Sequence, residues 1–167
     1  MRRAIAALAA GIAGTLLLAR PPHEIPYRAL AAELDETIGG ERRSFPWHRG
    51  RIVYRAAGVG TPVLLVHGIN ATASGYEMRC NFGPLAEDHR VYLPDLLGFG
   101  LSERPALRYT ADTYTDLLAE FLREVVGGPA HVIASSLSAA YAVAVAAAHP
   151  ELIRSLVLIC PTGIERL

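Results

Sequence analysis

Lysine is absent from this sequence. All 16 basic residues are arginine, and 16 acidic residues balance them to a formal net charge of zero. Proteins that bind nucleic acid depend on a surplus of cations gathered on one face, and neither surplus nor cluster is present, so no nucleic-acid partner is expected. Cysteine is scarce. Cys80 and Cys160 are too few and too far apart for a disulfide framework or a thiolate zinc site. Buried free thiols are the expectation, with pairing on export as the alternative. A dinucleotide fingerprint is also lacking. Gly58-Val59-Gly60 precedes its strand instead of following it, and Gly98-Phe99-Gly100 has no third glycine and opens no immediate helix. No cofactor or metal is expected. What is plentiful is apolar side chain, at 51% against 19% charged, which argues against disorder. A chain of 167 residues suffices for one domain with its own core. There is no internal repeat, and no low-complexity tract beyond an enrichment in alanine.

The N-terminus reads as a separate object. Arg2 and Arg3 precede an uncharged run from Ala4 to Ala19, which Arg20, Pro21 and Pro22 end. Charge followed by an apolar run is the order of a signal peptide. As a helix the run would span roughly 24 Å, short of a bilayer core of about 30 Å, although flanking arginines can snorkel. Leu17 occupies the place where a cleavage site wants a small residue. An uncleaved anchor is therefore favoured over a removed leader, with a buried apolar helix as the third reading. The expected location is membrane-anchored or exported, with the cytoplasm as the alternative. Residues 1–22 are taken as this segment and 23–44 as a linker carrying a short helix. In that helix Leu30, Leu34 and Ile38 recur at four-residue spacing between Tyr27 and Ile38, and Gly39-Gly40 stops it.

From there strands and helices alternate. Strands are expected over Arg51–Arg55, Pro62–Val66, Arg90–Pro94, His131–Ala134 and Ser155–Cys160. Pro62-Val63-Leu64-Leu65-Val66 has the unbroken apolar character of a strand covered on both faces. Helices are expected over Gly75–Glu87, interrupted at Gly83-Pro84, over Asp112–Val126 behind a Thr110 cap, and over Leu137–His149. Such alternation implies right-handed crossovers and a mostly parallel sheet with helices on both faces. Ligands collect at the C-terminal strand ends of such sheets. Three of those ends carry polar or glycine-rich residues: His67-Gly68-Ile69-Asn70, Asp95 to Pro105, and Ser135 to Ser138.

Val132-Ile133-Ala134-Ser135-Ser136-Leu137-Ser138-Ala139-Ala140 is the most specific segment. A strand runs directly into a helix through Ser136, which has small residues, Ala134 and Ser138, two positions to either side. That is the small-x-Ser-x-small form of a nucleophile elbow. The turn is sharp and strained, so bulky neighbours would clash, and the helix N-terminus beneath it favours developing negative charge. Ser135 is disfavoured because Ile133 and Leu137 would flank it. Ser138 is sterically allowed but lies one step inside the helix. A serine-rich helix cap without catalysis is the plain structural alternative. Tyr76, Met78 and Phe82 stand near the glycine turn, where simple helix packing is expected of them in preference to an acyl pocket.

Four segments taken together resemble the α/β-hydrolase superfamily over roughly residues 45–167. Leu64-Leu65-Val66-His67-Gly68 resembles the strand and turn that supply half of an oxyanion hole. Asp95-Leu96-Leu97-Gly98-Phe99-Gly100-Leu101-Ser102 resembles the D-x-x-G-x-G-x-S loop. Ser136 falls at the elbow, and His149-Pro150-Glu151 with Leu156-Val157-Leu158-Ile159 resembles the following helix end and strand. The resemblance implies an α/β-hydrolase-like fold, truncated before the cap and last strands, with Ser136 as nucleophile and the backbone N–H groups of Ile69 and Leu137 as the oxyanion hole. It gives His67, Gly68 and Asp95 supporting roles: His67 orders the oxyanion loop and Asp95 braces its own loop. A serine at the elbow, instead of aspartate, points to ester, amide, thioester or activated carbon–carbon cleavage, and away from relatives that remove halides or open epoxides with a carboxylate. The expected substrate is a small-molecule ester or related acyl compound. This chain departs from the pattern at Ala134, Ser138 and Ala139, where glycine is usual.

His67, Asp95 and Ser136 look like a finished triad, but the superfamily's chain order is serine, then acid, then histidine. After Ser136 there remain only His149, Glu151 and Glu165, none behind the appropriate strand. The acid and base are therefore expected beyond Leu167, in a continuation of about 100–150 residues. The 167 residues alone are expected to be inactive and, with an exposed last strand, poorly soluble. The reading of a different class is a non-catalytic binding module on half of the fold.

Overall fold

The computed structural model describes residues 27–164. The apolar run at 4–19 lies outside the described residues. Among the described residues no helix is long and apolar enough to cross a membrane.

Six strands form one sheet in the order β1-β2-β4-β3-β5-β6. They are β1 (Glu41–Trp47), β2 (Gly50–Ala57), β3 (Thr61–Val66), β4 (His89–Pro94), β5 (Ala130–Ser135) and β6 (Ile153–Ile159). β1 and β2 form an antiparallel hairpin, and β2 pairs antiparallel with β4. The other four strands are parallel, as the alternating pattern requires. Helix α1 (Tyr27–Glu36) precedes the sheet, α2 (Arg79–Ala86) follows a 3-10 turn at Gly75–Met78, and α3 (Ala111–Phe121) runs into a π-helical turn at Leu122–Val126. Helix α4 (Ser138–Ala148) follows β5. Thr110 caps α3 as its sequence suggests, with Oγ1 accepting the Thr113 N–H at 3.3 Å.

Two apolar layers flank the sheet. One joins Leu64, Val66, Val132 and Ala134 to Leu117, Phe121, Ala142 and Val145 of α3 and α4. The other joins Val63, Leu65, Val91 and Leu93 to Met78 and Phe82. Met78 and Phe82 therefore pack beneath the sheet, as expected of them, and Arg79 stacks over Tyr76 at 4.1 Å.

Strand β1 is not among the strands expected from sequence. It takes in residues 41–44, so the stretch expected as linker runs into the sheet. Its first four residues are exposed, and only Phe45 and Trp47 point inward. Pro46 is tolerated because β1 is an edge strand, where a missing donor costs no ladder bond. Side chains lock the hairpin to α3. Trp47 Nε1 donates to Glu120 at 2.8 Å, and Arg49 reaches Thr113 and Asp116 at 3.2 and 3.3 Å.

Helix α1 is held by a buried ion pair: Arg55 donates to both carboxylate oxygens of Asp35, at 3.0 and 2.6 Å. Arg55 also donates to the carbonyls of Gly39 and Gly40 at 3.2 and 3.0 Å. The Asp35 hydrogen bonds, against some cost of burial, raise the Arg55 pKa further.

Two expectations need correction. Cys80 and Cys160 are free, but both are exposed instead of buried. Pro84 does not break its helix, because α2 runs from Arg79 through Pro84 to Ala86.

Candidate active site

The parallel strands diverge at β3: the chain continues from β3 to β4 on one side, and β5 lies on the other. That reversal opens a crevice at the C-terminal ends of β3 and β5. The structure brings together there the loops after β3, β4 and β5.

Ser136 lies between β5 and α4 with φ +54°. Such a value is uncommon for a non-glycine residue and is held only where surroundings over-determine it. Here they do. The Ser136 N–H donates to the Ile159 carbonyl at 2.9 Å, and the Ser136 carbonyl accepts from Ala139 and Thr162 at 3.1 and 3.2 Å. With its backbone tied on both sides, the side chain is left without a hydrogen-bond partner among the described residues. The N–H groups of Ile69 and Leu137 likewise donate to no described residue.

Ser138 has a different environment. It is fully buried, and its Oγ donates to the His67 carbonyl at 2.7 Å. That bond ties the start of α4 to the loop after β3 and occupies the hydroxyl. Gly68 sits between the same two segments. A Cβ on it would stand 3.2 Å from Ser136 Cβ and 3.4 Å from Glu77 Oε2, so a side chain there would press on the elbow. The Gly68 N–H donates to Glu77 Oε2 at 3.1 Å.

His67 is buried and committed at both ring nitrogens. Nδ1 lies 2.7 Å from the Gly68 carbonyl, so it carries the proton and donates. Nε2 accepts the Leu96 N–H at 3.0 Å. The ring thus ties the loop after β3 to the loop after β4 and has no lone pair for Ser136. Burial lowers its pKa, outweighing the opposing pull of Asp95 and Glu77. A histidine held neutral in the fold gives stability that is fully present above its unfolded value. That stability is lost as pH falls below about 6.5 toward the lower folded value. The urea midpoint is therefore expected to fall between pH 7.5 and 5.5, and to fall less in His67→Asn. Equal slopes for the two proteins would contradict this assignment.

Asp95 is equally occupied. Oδ1 accepts the Gly75 N–H at 2.6 Å and Oδ2 accepts the Leu101 N–H at 2.7 Å. Ser102 completes the brace, its Oγ donating to the Asp95 carbonyl at 2.6 Å and accepting the Val53 N–H at 2.8 Å. Gly100 is required here: at φ +46°, a Cβ would lie 2.1 Å from the Asp95 carboxyl. His67 and Asp95 are thus braces of the loops, and neither completes a triad. His149 is remote, since it caps the far end of α4, an 11-residue helix about 16 Å long, and it faces Glu151 at 3.5 Å.

Comparison with known proteins assigns the fold. The alpha/beta hydrolase fold family matches residues 61–166. The chain belongs to that family. This α/β hydrolase is 34% identical over 111 residues to the 2-hydroxymuconate semialdehyde hydrolase of Pseudomonas sp. (strain CF600), covering 65% of this chain and 39% of that protein. It is 43% identical over 83 residues to haloalkane dehalogenase 2 of Mycobacterium tuberculosis, covering 49% of this chain and 28% of that one. Among solved structures, a serine hydrolase involved in carbazole degradation superposes with a TM-score of 0.71 at 31% identity, covering 75% of this chain and 49% of that one. The α/β hydrolase described here spans 39–40% of the length of the curated relatives it matches first.

Several site features escaped the sequence reading. A cleft of about 570 Å³ is lined by Ile69, Phe99, Arg104, Tyr109, Tyr114 and Tyr141. Tyr114 stacks on Tyr141 at 5.1 Å between ring centres and on Tyr109 at 6.3 Å. Burial raises the pKa of all three tyrosines, so their hydroxyls stay neutral. These residues come from the loop after β4, from α3 and from α4, and no local pattern joins them.

Proposed function

We propose that this chain carries the nucleophile and oxyanion hole of a serine hydrolase acting on a small-molecule acyl substrate through an acyl-enzyme on Ser136. The observation that carries the reading is the strained backbone at Ser136. Its hydroxyl and the N–H groups of Ile69 and Leu137 have no hydrogen-bond partner among the described residues. In the first step Oγ attacks the substrate carbonyl carbon and gives its proton to a base. The carbonyl oxygen, now anionic, takes hydrogen bonds from the Ile69 and Leu137 N–H groups, one such donor being worth about 3–4 kcal/mol. Collapse expels the leaving group with a proton, and water then releases the acid from Ser136. Neither His67, committed at both ring nitrogens, nor His149, at the far end of α4, can be that base, so the 167-residue chain alone is expected to be inactive.

A carboxylic ester is the expected substrate, because its leaving group needs the least specialised help. Activated carbon–carbon cleavage is the second reading, favoured by likeness to the 2-hydroxymuconate semialdehyde hydrolase. Likeness to a dehalogenase does not extend to halide removal, since Ser136 stands where that chemistry uses a carboxylate. Mixing the intact protein with excess 4-nitrophenyl acetate should give a burst of one equivalent of nitrophenolate, then slower turnover. Hydrolysis of a conjugated keto acid without any ester burst would support the second reading. Neither reaction would leave a non-catalytic module.

The apolar run at 4–19 is proposed to hold the protein at a membrane. The intact protein should pellet with membranes, and a soluble product retaining Met1 would contradict this.

A further inference from the structure

We infer that Glu77 is a positioning residue for the oxyanion hole: its carboxylate holds the loop after β3 so that the Ile69 N–H is aimed at the substrate oxygen. This deepens the serine-hydrolase reading and rests on it. Three residues of that loop, His67, Gly68 and Ile69, are joined by two peptide units. Both are trans, so in each the carbonyl and the N–H point in opposite directions. In the first unit the His67 carbonyl accepts from Ser138 Oγ at 2.7 Å, and the Gly68 N–H donates to Glu77 Oε2 at 3.1 Å. That plane is held at both ends. In the second unit the Gly68 carbonyl accepts from His67 Nδ1 at 2.7 Å. Its other end, the Ile69 N–H, donates to no described residue. Three of the four polar groups are thus bound, and the fourth is the proposed oxyanion donor.

Glycine at 68 makes the tie necessary. Its two dihedrals, which no side chain restricts, separate the planes, and without Glu77 the first plane hangs from Ser138 alone. The carboxylate lies against the elbow: both its oxygens are within 3.5 Å of where a Gly68 Cβ would stand, a point 3.2 Å from Ser136 Cβ. Glu77 is itself fixed. It sits in the 3-10 turn Gly75–Met78, where Ser74 Oγ accepts the Tyr76 N–H at 3.3 Å and the Ser74 carbonyl accepts the Glu77 N–H at 3.1 Å. The Gly75 N–H is bound to Asp95, so the turn shares the brace of the loop after β4. The Gly68 N–H is the carboxylate's sole hydrogen-bond partner among the described residues, and no described arginine or histidine pairs with it. Glu77 is exposed, so it adds little to the core, and its one bond goes to the loop that carries the donor.

The test is stopped-flow acylation of the intact protein by 4-nitrophenyl acetate, with burst amplitude, acylation rate constant and substrate affinity read separately. Glu77→Ala should slow acylation by about thirtyfold, less than the loss of about a hundredfold or more that follows removal of an oxyanion donor. Its burst amplitude should stay near one equivalent and its substrate affinity within about twofold of wild type, since the lost interaction belongs to the transition state. Glu77→Gln, whose amide oxygen still accepts the Gly68 N–H, should acylate within about threefold of the wild-type rate. A trifluoromethyl ketone, whose adduct with serine puts an oxyanion in the hole, should lose affinity in Glu77→Ala by about the same factor as the rate. A loss confined to burst amplitude and urea midpoint, with the rate constant of the remaining active sites unchanged, would mark a merely structural role and overturn the inference. Glu77→Gln as slow as Glu77→Ala would also overturn it. The arms separate from the catalytic reading. A wild-type burst with unaltered acylation in Glu77→Ala loses only the Glu77 inference. A wild type that gives no burst loses the serine-hydrolase reading, and the inference with it.

Discussion

Ser136→Ala should lower kcat of the intact protein by about a millionfold, with the folded state unchanged. The effect is that large because nucleophile and base act as a unit: without Oγ, the oxyanion donors are left to stabilise only direct attack by water. The fold should tolerate the change. The elbow is fixed by backbone bonds from Ser136 to Ile159, Ala139 and Thr162, and alanine keeps every one of them. Alanine at φ +54° bears about the same backbone strain as serine. Ser138→Ala should behave oppositely. It removes the buried bond to the His67 carbonyl and should cost about 1–3 kcal/mol of stability while retaining the nucleophile. Kinetics and urea unfolding on the same two variants check both halves. A Ser136→Ala protein within tenfold of wild type would refute the assignment.

Asp35→Ala should lower the unfolding free energy by about 3 kcal/mol, near the bottom of the range for breaking a buried ion pair. Asp35 and Arg55 are 7% and 6% exposed, so the variant leaves a buried guanidinium with only the exposed Glu36 carboxylate, 3.6 Å away, as counter-charge. The Gly39 and Gly40 carbonyls still hold one of its nitrogens, which keeps the loss from being larger. Replacing both partners, Asp35→Ala with Arg55→Met, should cost less than Asp35→Ala alone, because no buried charge remains. The pair matters to the site as well as to stability. Leu30, Ala31 and Leu34 of α1 line a groove against Ala71–Ser74 of the loop that follows Ile69, so loosening α1 exposes that loop. Urea denaturation monitored by circular dichroism measures the loss, and a change below 1 kcal/mol would contradict the buried-pair account.

Much of the architecture was legible because the parallel strands announce themselves. β3 and β5 are unbroken or nearly unbroken apolar runs ending in His67-Gly68 and Ser135-Ser136, so strand and site were read from the same residues. β1 was not legible. As an edge strand it buries only Phe45 and Trp47, and four charged or polar residues precede them. Two alternating aromatics around a proline are too short a pattern to distinguish from a loop. The braces at His67 and Asp95 could be anticipated only through the family resemblance; their hydrogen bonds reach residues 20 to 30 positions away. Ser102 belongs to the loop motif, but its bond to Val53 joins segments 49 residues apart. The aromatic cleft was least legible of all. Tyr141 lies in an alanine-rich stretch of helix, and nothing local shows that it stacks on Tyr114 of another helix. Exposure of Cys80 and Cys160 was misjudged because apolar neighbours in sequence do not fix which side of an element faces the core.

The central claim is that Ser136 is the activated nucleophile. Its most direct test is to treat the intact protein with a fluorophosphonate, digest it and map the adduct by fragment-ion mass spectrometry. One phosphonate per chain, localised to Ser136 within Ser135-Ser136-Leu137-Ser138, is the predicted result; an adduct on Ser138 or Ser135, or undiminished labelling in Ser136→Ala, would contradict it.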